Sequence, residues 1–369
     1  MDYFPLTIAL GKAFCNRKSE TKHLKANIQK SRPTLIVSPR RYGKTSLALN
    51  TIRQLKLNYV HFDFLSVTDE DDIESIILQG VGKLILQLEK GVKKALRVAT
   101  DFFSGLDIKL AMDRLGLTVE ISQKKRKPVY NILSVLERIE KLSTTYNKKI
   151  VLFFDEFQRV NQVSEGASIE AVMRQVAQIS KNLTFIFSGS NRHLLYRMFG
   201  DRNKPFYKLC DRITLERISS EEYYKHIQKA ALDKWSQELN ESIINRIFEL
   251  TEYHPYYINV LCSRLWEEVL PTLSVVDYEW YGYIEEERSQ VAIEMDLLSN
   301  SQRKLLIILA RHDGTDTPRS GTFQNLARMS GSTITQALKF LERKDYVYKN
   351  QDGYYKVLDP MIKAVLSGR

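Results

Sequence analysis

Cysteine is scarce in this chain of 369 residues: Cys15, Cys210 and Cys262 are scattered, with no pair spacing and no metal-ligand motif. Neither a disulfide framework nor a structural zinc site is expected, and a reducing, cytoplasmic compartment fits. Long apolar runs are also missing. The longest, "IVLFF" and "LLIILA", fall well short of the roughly 20 residues that cross a bilayer, and they read as a core strand and a core helix. The opening residues, "MDYFPLTIALGKAF", carry an early Asp and no basic stretch, so neither a secretory signal nor a membrane partner is expected. No internal repeat or low-complexity tract interrupts the chain, whose length suits two or three domains. Acidic residues are in deficit. The net charge is +11, which weakly favours an acidic partner such as nucleic acid. Residues 299–369 hold twelve Lys/Arg against six Asp/Glu, so the excess gathers there. The other basic cluster, "KKRK" at 124–127, reads as a solvated loop.

The most informative absence is one glycine. "SPRRYGKTS", Ser38 to Ser46, follows the phosphate-loop pattern G-x-x-x-x-G-K-[ST] except that Ser38 stands at the first glycine. The setting is right. "PTLIV" before it is a buried-strand signal, and Leu47, Ala48, Ile52 and Leu55 after it have helical spacing. An anion on that helix N-terminus would meet free backbone N–H groups and the positive end of the helix dipole. Arg41, Tyr42, Gly43, Lys44, Thr45 and Ser46 are the expected binding residues, whereas Pro39 has no N–H to give. Lys44 should reach the terminal phosphates, and Thr45 should ligate Mg²⁺. Ser38 either sits in left-handed backbone, at a cost of about 1–2 kcal/mol, or sits at negative φ at no cost.

"KKIVLFFDEFQRV" places Asp155 and Glu156 at the end of a fully apolar strand, where a parallel sheet presents its ligands. Asp155 is expected in the Mg²⁺ shell, and Glu156 as the base that polarises an attacking water. "LTFIFSGSNRHLL" ends in Ser188 to Arg192. There Ser190 or Asn191 could sense a γ-phosphate and Arg192 could neutralise developing charge, or the segment could simply cap the next helix. "YVHFDFLSV" and "DRITLERI" supply two more strands, and five strands interleaved with helices argue a parallel α/β sheet.

Taken together, these residues resemble the STAND branch of P-loop ATPases, the archaeal-type ATPases related to AAA+ proteins. "SPRRYGKTSL" and "LFFDEFQ" resemble its two nucleotide motifs. "AFCNRKSE" resembles its F-x-G-R-x-x-E box, with Asn16 for the glycine; the resemblance implies that Asn16 and Arg17 lie at the base end of the pocket. It also implies a catalytic arginine at Arg212, within "PFYKLCDRITLERIS". "TEYHPYYINVLC" is similar to its lid motif. Tyr253 replaces a glycine, and His254 and Pro255 either face the nucleotide or start a helix. The implied architecture is a P-loop NTPase core with helices on both sheet faces over residues 1–217, carrying an inserted helix and hairpin near 95–130. A helical lid over 218–298 and a winged helix over 299–369 would follow.

The tail supports that last element on its own. "SNSQRKLLIILARH", "TFQNLARMSG" and "STITQALKFLERKDYV" read as three helices, with Ile334, Ala337, Leu338 and Leu341 forming one apolar face. "VYKNQDGYYKVLD" reads as a hairpin with "NQDG" at its tip. Ser332, Thr333, Thr335, Gln336 and Lys339 would face outward, toward DNA or a protein partner, or the winged helix could serve as a packing module. The function expected is an Mg²⁺-dependent, slow ATPase that cycles between ATP and ADP as a molecular switch, with nucleotide-dependent self-assembly implied by the resemblance. The alternative is a DNA-binding regulator with a structural nucleotide.

Overall fold

The computed structural model describes residues 3–106, 108–113, 116–121, 127–350 and 352–368. The chain divides into two compact units, Arg17–Glu216 and Met1–Asn16 with Arg217–Arg369.

The first unit is built on strands β1 (Thr34–Val37), β2 (Asn58–Asp63), β5 (Ile150–Asp155), β6 (Leu183–Gly189) and β7 (Asp211–Thr214), with a separate hairpin β3 (Ile108–Asp113) and β4 (Gly116–Ile121). The five-stranded sheet has the order β2-β5-β6-β1-β7 and every pairing in it is parallel. Its central strands β5 and β6 are buried along their whole length, as their unbroken apolar runs require. The helices are α1 (Lys18–Gln29), α2 (Lys44–Gln54), α3 (Glu70–Leu88), α4 (Val92–Phe102), α5 (Pro128–Tyr146), α6 (Gly166–Ile179) and α7 (Arg192–Gly200). Strand alternation sorts the side chains. Leu35, Phe62, Leu152, Phe154, Phe185 and Phe187 share one core with α3, α5 and α6. On the other face α2 meets β5 and β6, and α1 meets β7. This is the α/β arrangement expected, with helices on both faces.

Between β2 and β5 the helical stretch breaks at Gly91, whose φ of 101° a side chain would resist, so α3 and α4 are separate helices. The hairpin follows, with Ile108 opposite Ile121. Apart from Lys127, the basic run 124–127 lies outside the described residues.

The second unit is helical, with α8 (Ser220–Trp235), α9 (Glu241–Thr251), α10 (Pro255–Leu265) and α11 (Leu273–Asp296). It continues with α12 (Asn300–Arg311), α13 (Gly321–Ala327), α14 (Gly331–Arg343), an antiparallel hairpin of β8 (Val347–Lys349) and β9 (Tyr355–Val357), and α15 (Pro360–Ser367). Three helices and a hairpin make the expected winged helix; Gln351, within the expected "NQDG" turn, is outside the described residues. Ile334, Ala337, Leu338 and Leu341 are buried, as their spacing demands. Tyr3 and Phe4 are buried in this unit's core, with Phe4 4.5 Å from the Trp266 ring. The winged helix is tied to the preceding helices. Tyr257 Oη donates to Asp359 at 2.7 and 2.9 Å, Arg217 donates to the Leu358 carbonyl at 3.0 Å, and Lys363 pairs with Glu252 and Asp313.

Candidate nucleotide-binding site

The loop after β1 turns through two left-handed residues, Arg41 at φ 63° and Gly43 at φ 88°, and Gly43 leads directly into α2. Ser38 is not in the left-handed region. The position where the motif has glycine therefore carries no such backbone strain here, and Ser38 is fully buried with Oγ donating to the Pro39 carbonyl at 3.0 Å. Two other replaced glycines do adopt left-handed backbone, Asn16 at φ 51° and Tyr253 at φ 58°. Asn tolerates that region well, whereas tyrosine there is strained. Lys44 is buried and folds back over the loop, donating to the carbonyls of Ser38 at 3.3 Å and Pro39 at 3.0 Å. Ser46 is buried in the first turn of α2, Tyr42 is buried, and Arg41 is exposed.

Beside this loop the sheet delivers Asp155. Its Oδ2 accepts from Thr45 Oγ1 at 2.6 Å, and its Oδ1 accepts from the Ser188 hydroxyl and from the Glu156 amide at 3.0 Å. His61 Nε2 stands 3.6 Å from Oδ2, beyond hydrogen-bond length, with its ring stacked on Phe153. Burial pushes the Asp155 carboxyl upward, but His61, Ser188 and Thr45 outweigh it and hold the group down at about 2. Asp155 is thus ionised against an alcohol oxygen, a hard-oxygen pair of the kind Mg²⁺ takes alongside waters and phosphates. The donor set fits that ion.

Glu156 follows at φ 51°. The next residue, Phe157, is fully buried, 4.6 Å from the Phe187 ring and 5.3 Å from Phe206, which pins the turn. Glu156 Oε2 accepts from Ser190 Oγ at 2.8 Å and from the Gln158 amide, and Arg40 Nε reaches Ser190 Oγ at 3.4 Å. So Thr45, Asp155, Glu156 and Ser190 form one hydrogen-bonded group. Sequence reasoning missed four of its neighbours: Arg40, His61, Gln158 and Ser188. The available signal was strand alternation, since His61 sits two residues before the β2 residue opposite Asp155, and Ser188 ends an apolar run.

The other expected residues are placed differently. Asn191 caps α7, accepting from the Leu194 amide at 3.0 Å, and Arg192 is the first residue of that helix, half-buried. Arg212 lies on the edge strand β7 opposite Leu35, with its guanidinium 4.8 Å from the Tyr196 ring centre. Arg17 donates to the Tyr42 and Glu216 carbonyls at 3.2 and 2.6 Å, and to Glu20 at 3.1 Å, an ion pair that makes physical sense of the R-x-x-E spacing. Asn16, His254 and Pro255 belong to the other unit. There His254 Nδ1 accepts from the Tyr256 amide at 3.3 Å, with Pro255 at the first helical position.

Residues 293–368 match the family model described as "Probable winged helix domain". No curated protein matches the chain. Among solved structures, it is similar to the Walker-type ATPase PABY2304 of Pyrococcus abyssi, at 15% identity and a TM-score of 0.73 over 99% of both chains. It is also similar to the ORC2 protein of Aeropyrum pernix in its ADPNP–ADP complexes, at 13% identity and a TM-score of 0.57 over 95% of this chain and 92% of that one. The ADP form of the same protein gives 11% identity and a TM-score of 0.54, over 95% and 94%. At such identities the likeness is one of fold: a P-loop ATPase-type sheet followed by a helical region and a winged helix. Among the described residues, no helix is long and apolar enough to cross a membrane.

Proposed function

We propose that this chain binds ATP with Mg²⁺ and hydrolyses it slowly, as a nucleotide-operated switch of the STAND type. The observation that carries the reading is the Thr45–Asp155 pair, 2.6 Å apart, beside a loop whose Lys44 is held over its own carbonyls. Phosphate oxygens would replace those carbonyls as partners of the Lys44 ammonium, while the amides from Arg41 to Ser46 face the anion. Thr45 and Asp155 would hold Mg²⁺, which would neutralise charge on the phosphates. Glu156 would take a proton from the water that attacks the γ-phosphorus as the bond to ADP breaks. Glu156 Oε2 already accepts from Ser190 and Gln158, which leaves Oε1 to accept from the water. Arg192 and Arg212 would act on developing charge only after rearrangement, Arg212 by leaving Tyr196. The solved neighbours lend support, one being named an ATPase and the other holding ADPNP and ADP.

The output would run through the second unit. The resemblance makes Asn16, His254 and Pro255 candidates for nucleotide contact. Glu252 and Tyr257, which flank His254, hold the winged helix through Lys363 and Asp359. A change at the lid motif would therefore shift the winged helix, whether it serves to hold the protein inactive or to meet a partner, including a second copy. The test is turnover in Glu156→Gln. ATP binding should persist while hydrolysis falls by about 10²–10⁴-fold; unchanged hydrolysis would remove Glu156 from this role.

One observation favours a second reading, a DNA-binding regulator with little turnover. Along α14, Ser332, Gln336, Lys339 and Arg343 form an exposed stripe, with Thr333 and Thr335 half-buried beside it. Thr335 Oγ1 bonds back to the Gly331 carbonyl, so it offers less to a base edge than its position suggests. A mobility-shift titration against salt decides. Affinity that drops steeply with salt supports phosphate contact, and no shift at low salt excludes it.

A further inference from the structure

We infer that Arg17 is a positioning residue of the phosphate loop, and that it sets the direction of the Gly43 amide instead of touching the nucleotide base. This rests on the proposed ATP site and deepens it. Arg17 is only 5% exposed, and its guanidinium is committed to three partners within the fold. Nη1 donates to Glu20, and Nη2 donates to both the Tyr42 and the Glu216 carbonyls. A guanidinium so enclosed offers little of itself to a ligand.

The Tyr42 contact has a specific consequence. A trans peptide is planar, with its C=O and N–H pointing in opposite directions. Drawing the Tyr42 oxygen toward Arg17 therefore turns the Gly43 N–H directly away from it. Gly43, at φ 88°, is the left-handed residue that starts α2, and its amide is one of those assigned to the phosphates. Losing Arg17 removes this tether from the Tyr42–Gly43 peptide, at a glycine that tolerates both backbone regions about equally. Glu20 keeps the guanidinium oriented from one turn along α1, and Glu216, just beyond β7, gives it a second fixed point. Arg17 thus braces the loop against the end of the edge strand. Lysine, a compact ammonium without a planar fork, would hold the same charge but not the same set of angles.

The test compares two ligands, ATP and inorganic tripolyphosphate, each with Mg²⁺, titrated against the full chain as wild type, Arg17→Gln and Arg17→Lys. Arg17→Gln should weaken both ligands by the same factor, roughly 10- to 100-fold, as expected for loss of a charged hydrogen bond that fixes a binding group. Arg17→Lys should fall between, again equally for both. A loss confined to ATP would show base contact and overturn the inference, as would wild-type affinities in Arg17→Gln. If Arg17→Gln does not fold, the Arg17→Lys comparison decides by the same criterion. A wild type that binds neither ligand would sink the nucleotide reading, and this inference with it. A wild type that binds both, with Arg17 variants that bind equally well, would sink this inference alone.

Discussion

Asp155 stays charged in a buried setting because three side chains and one amide face it, and none of them carries a competing negative charge. Glu170 shows the opposite case. It is fully enclosed, with one oxygen bonded to Asn161 at 3.1 Å and the other without a hydrogen-bond partner. Burial pushes its carboxyl up, against the opposing pull of Asn161 and Lys204. A raised carboxyl favours the fold only while protonated, so stability is lost as pH rises from the unfolded value, about 4.3, through the folded one. Glu170→Gln should therefore raise stability at pH 8 by about 1 kcal/mol and have no such benefit at pH 4, as read by thermal melts at both values. Gly189 has a tighter constraint. A Cβ there would come within 1.9 Å of Gln158 Oε1, and Gln158 holds Glu156. Gly189→Ala should cut ATP turnover by about tenfold or more while leaving ATP binding within a few-fold, since it displaces the base and not the phosphate loop. The Gln158–Gly189 contact was not legible in the sequence, because the short turn after β5 and the end of β6 meet only once the sheet has formed.

At the scale of elements, the loop between β1 and α2 separates two glycine positions that a motif treats alike. Ser38 lies outside the left-handed region and Gly43 lies in it. Ser38→Gly should leave ATP affinity nearly unchanged and lower stability by about 0.5–1 kcal/mol through unfolded-chain entropy. Gly43→Ala finds open space but a forbidden backbone, at about 1–2 kcal/mol, and should bind ATP weakly. Paired calorimetric titrations and melts check both. β1, β5 and β6 were legible as short apolar runs ended by polar residues, whereas β2 and β7 alternate and carry polar residues within them. The winged helix was legible from its three helices and "NQDG" tip. Helix α15 was not anticipated, though its start is plain in retrospect: Asp359 accepts from the Met361 and Ile362 amides at 2.8 and 3.3 Å, with Pro360 at the first position. Eight residues at the chain's end give too little periodicity to stand out.

At the scale of the whole molecule, the chain passes between its two units at Asn16–Arg17 and again at Glu216–Arg217. The opening residues join the helical unit because Tyr3 and Phe4 find their aromatic partners there, including Trp266 and His226. Pattern alone does not tell which core an isolated aromatic pair will enter. The winged helix belongs to the same unit, and its charged ties to α9 and α10 explain why. Tyr257→Phe removes the one hydroxyl proton shared by the two Asp359 oxygens, a hydrogen bond to a charged group, and should destabilise that unit by about 1.5–3 kcal/mol, seen as a lower melting transition. The central claim, that amides around Gly43 and the Lys44 ammonium grip a triphosphate, is tested most directly by calorimetric titration of ATP with Mg²⁺ into wild type and Lys44→Ala. Wild type should bind at one site per chain and Lys44→Ala should lose roughly 10- to 100-fold in affinity; equal binding by the two, or no binding by wild type, would contradict it.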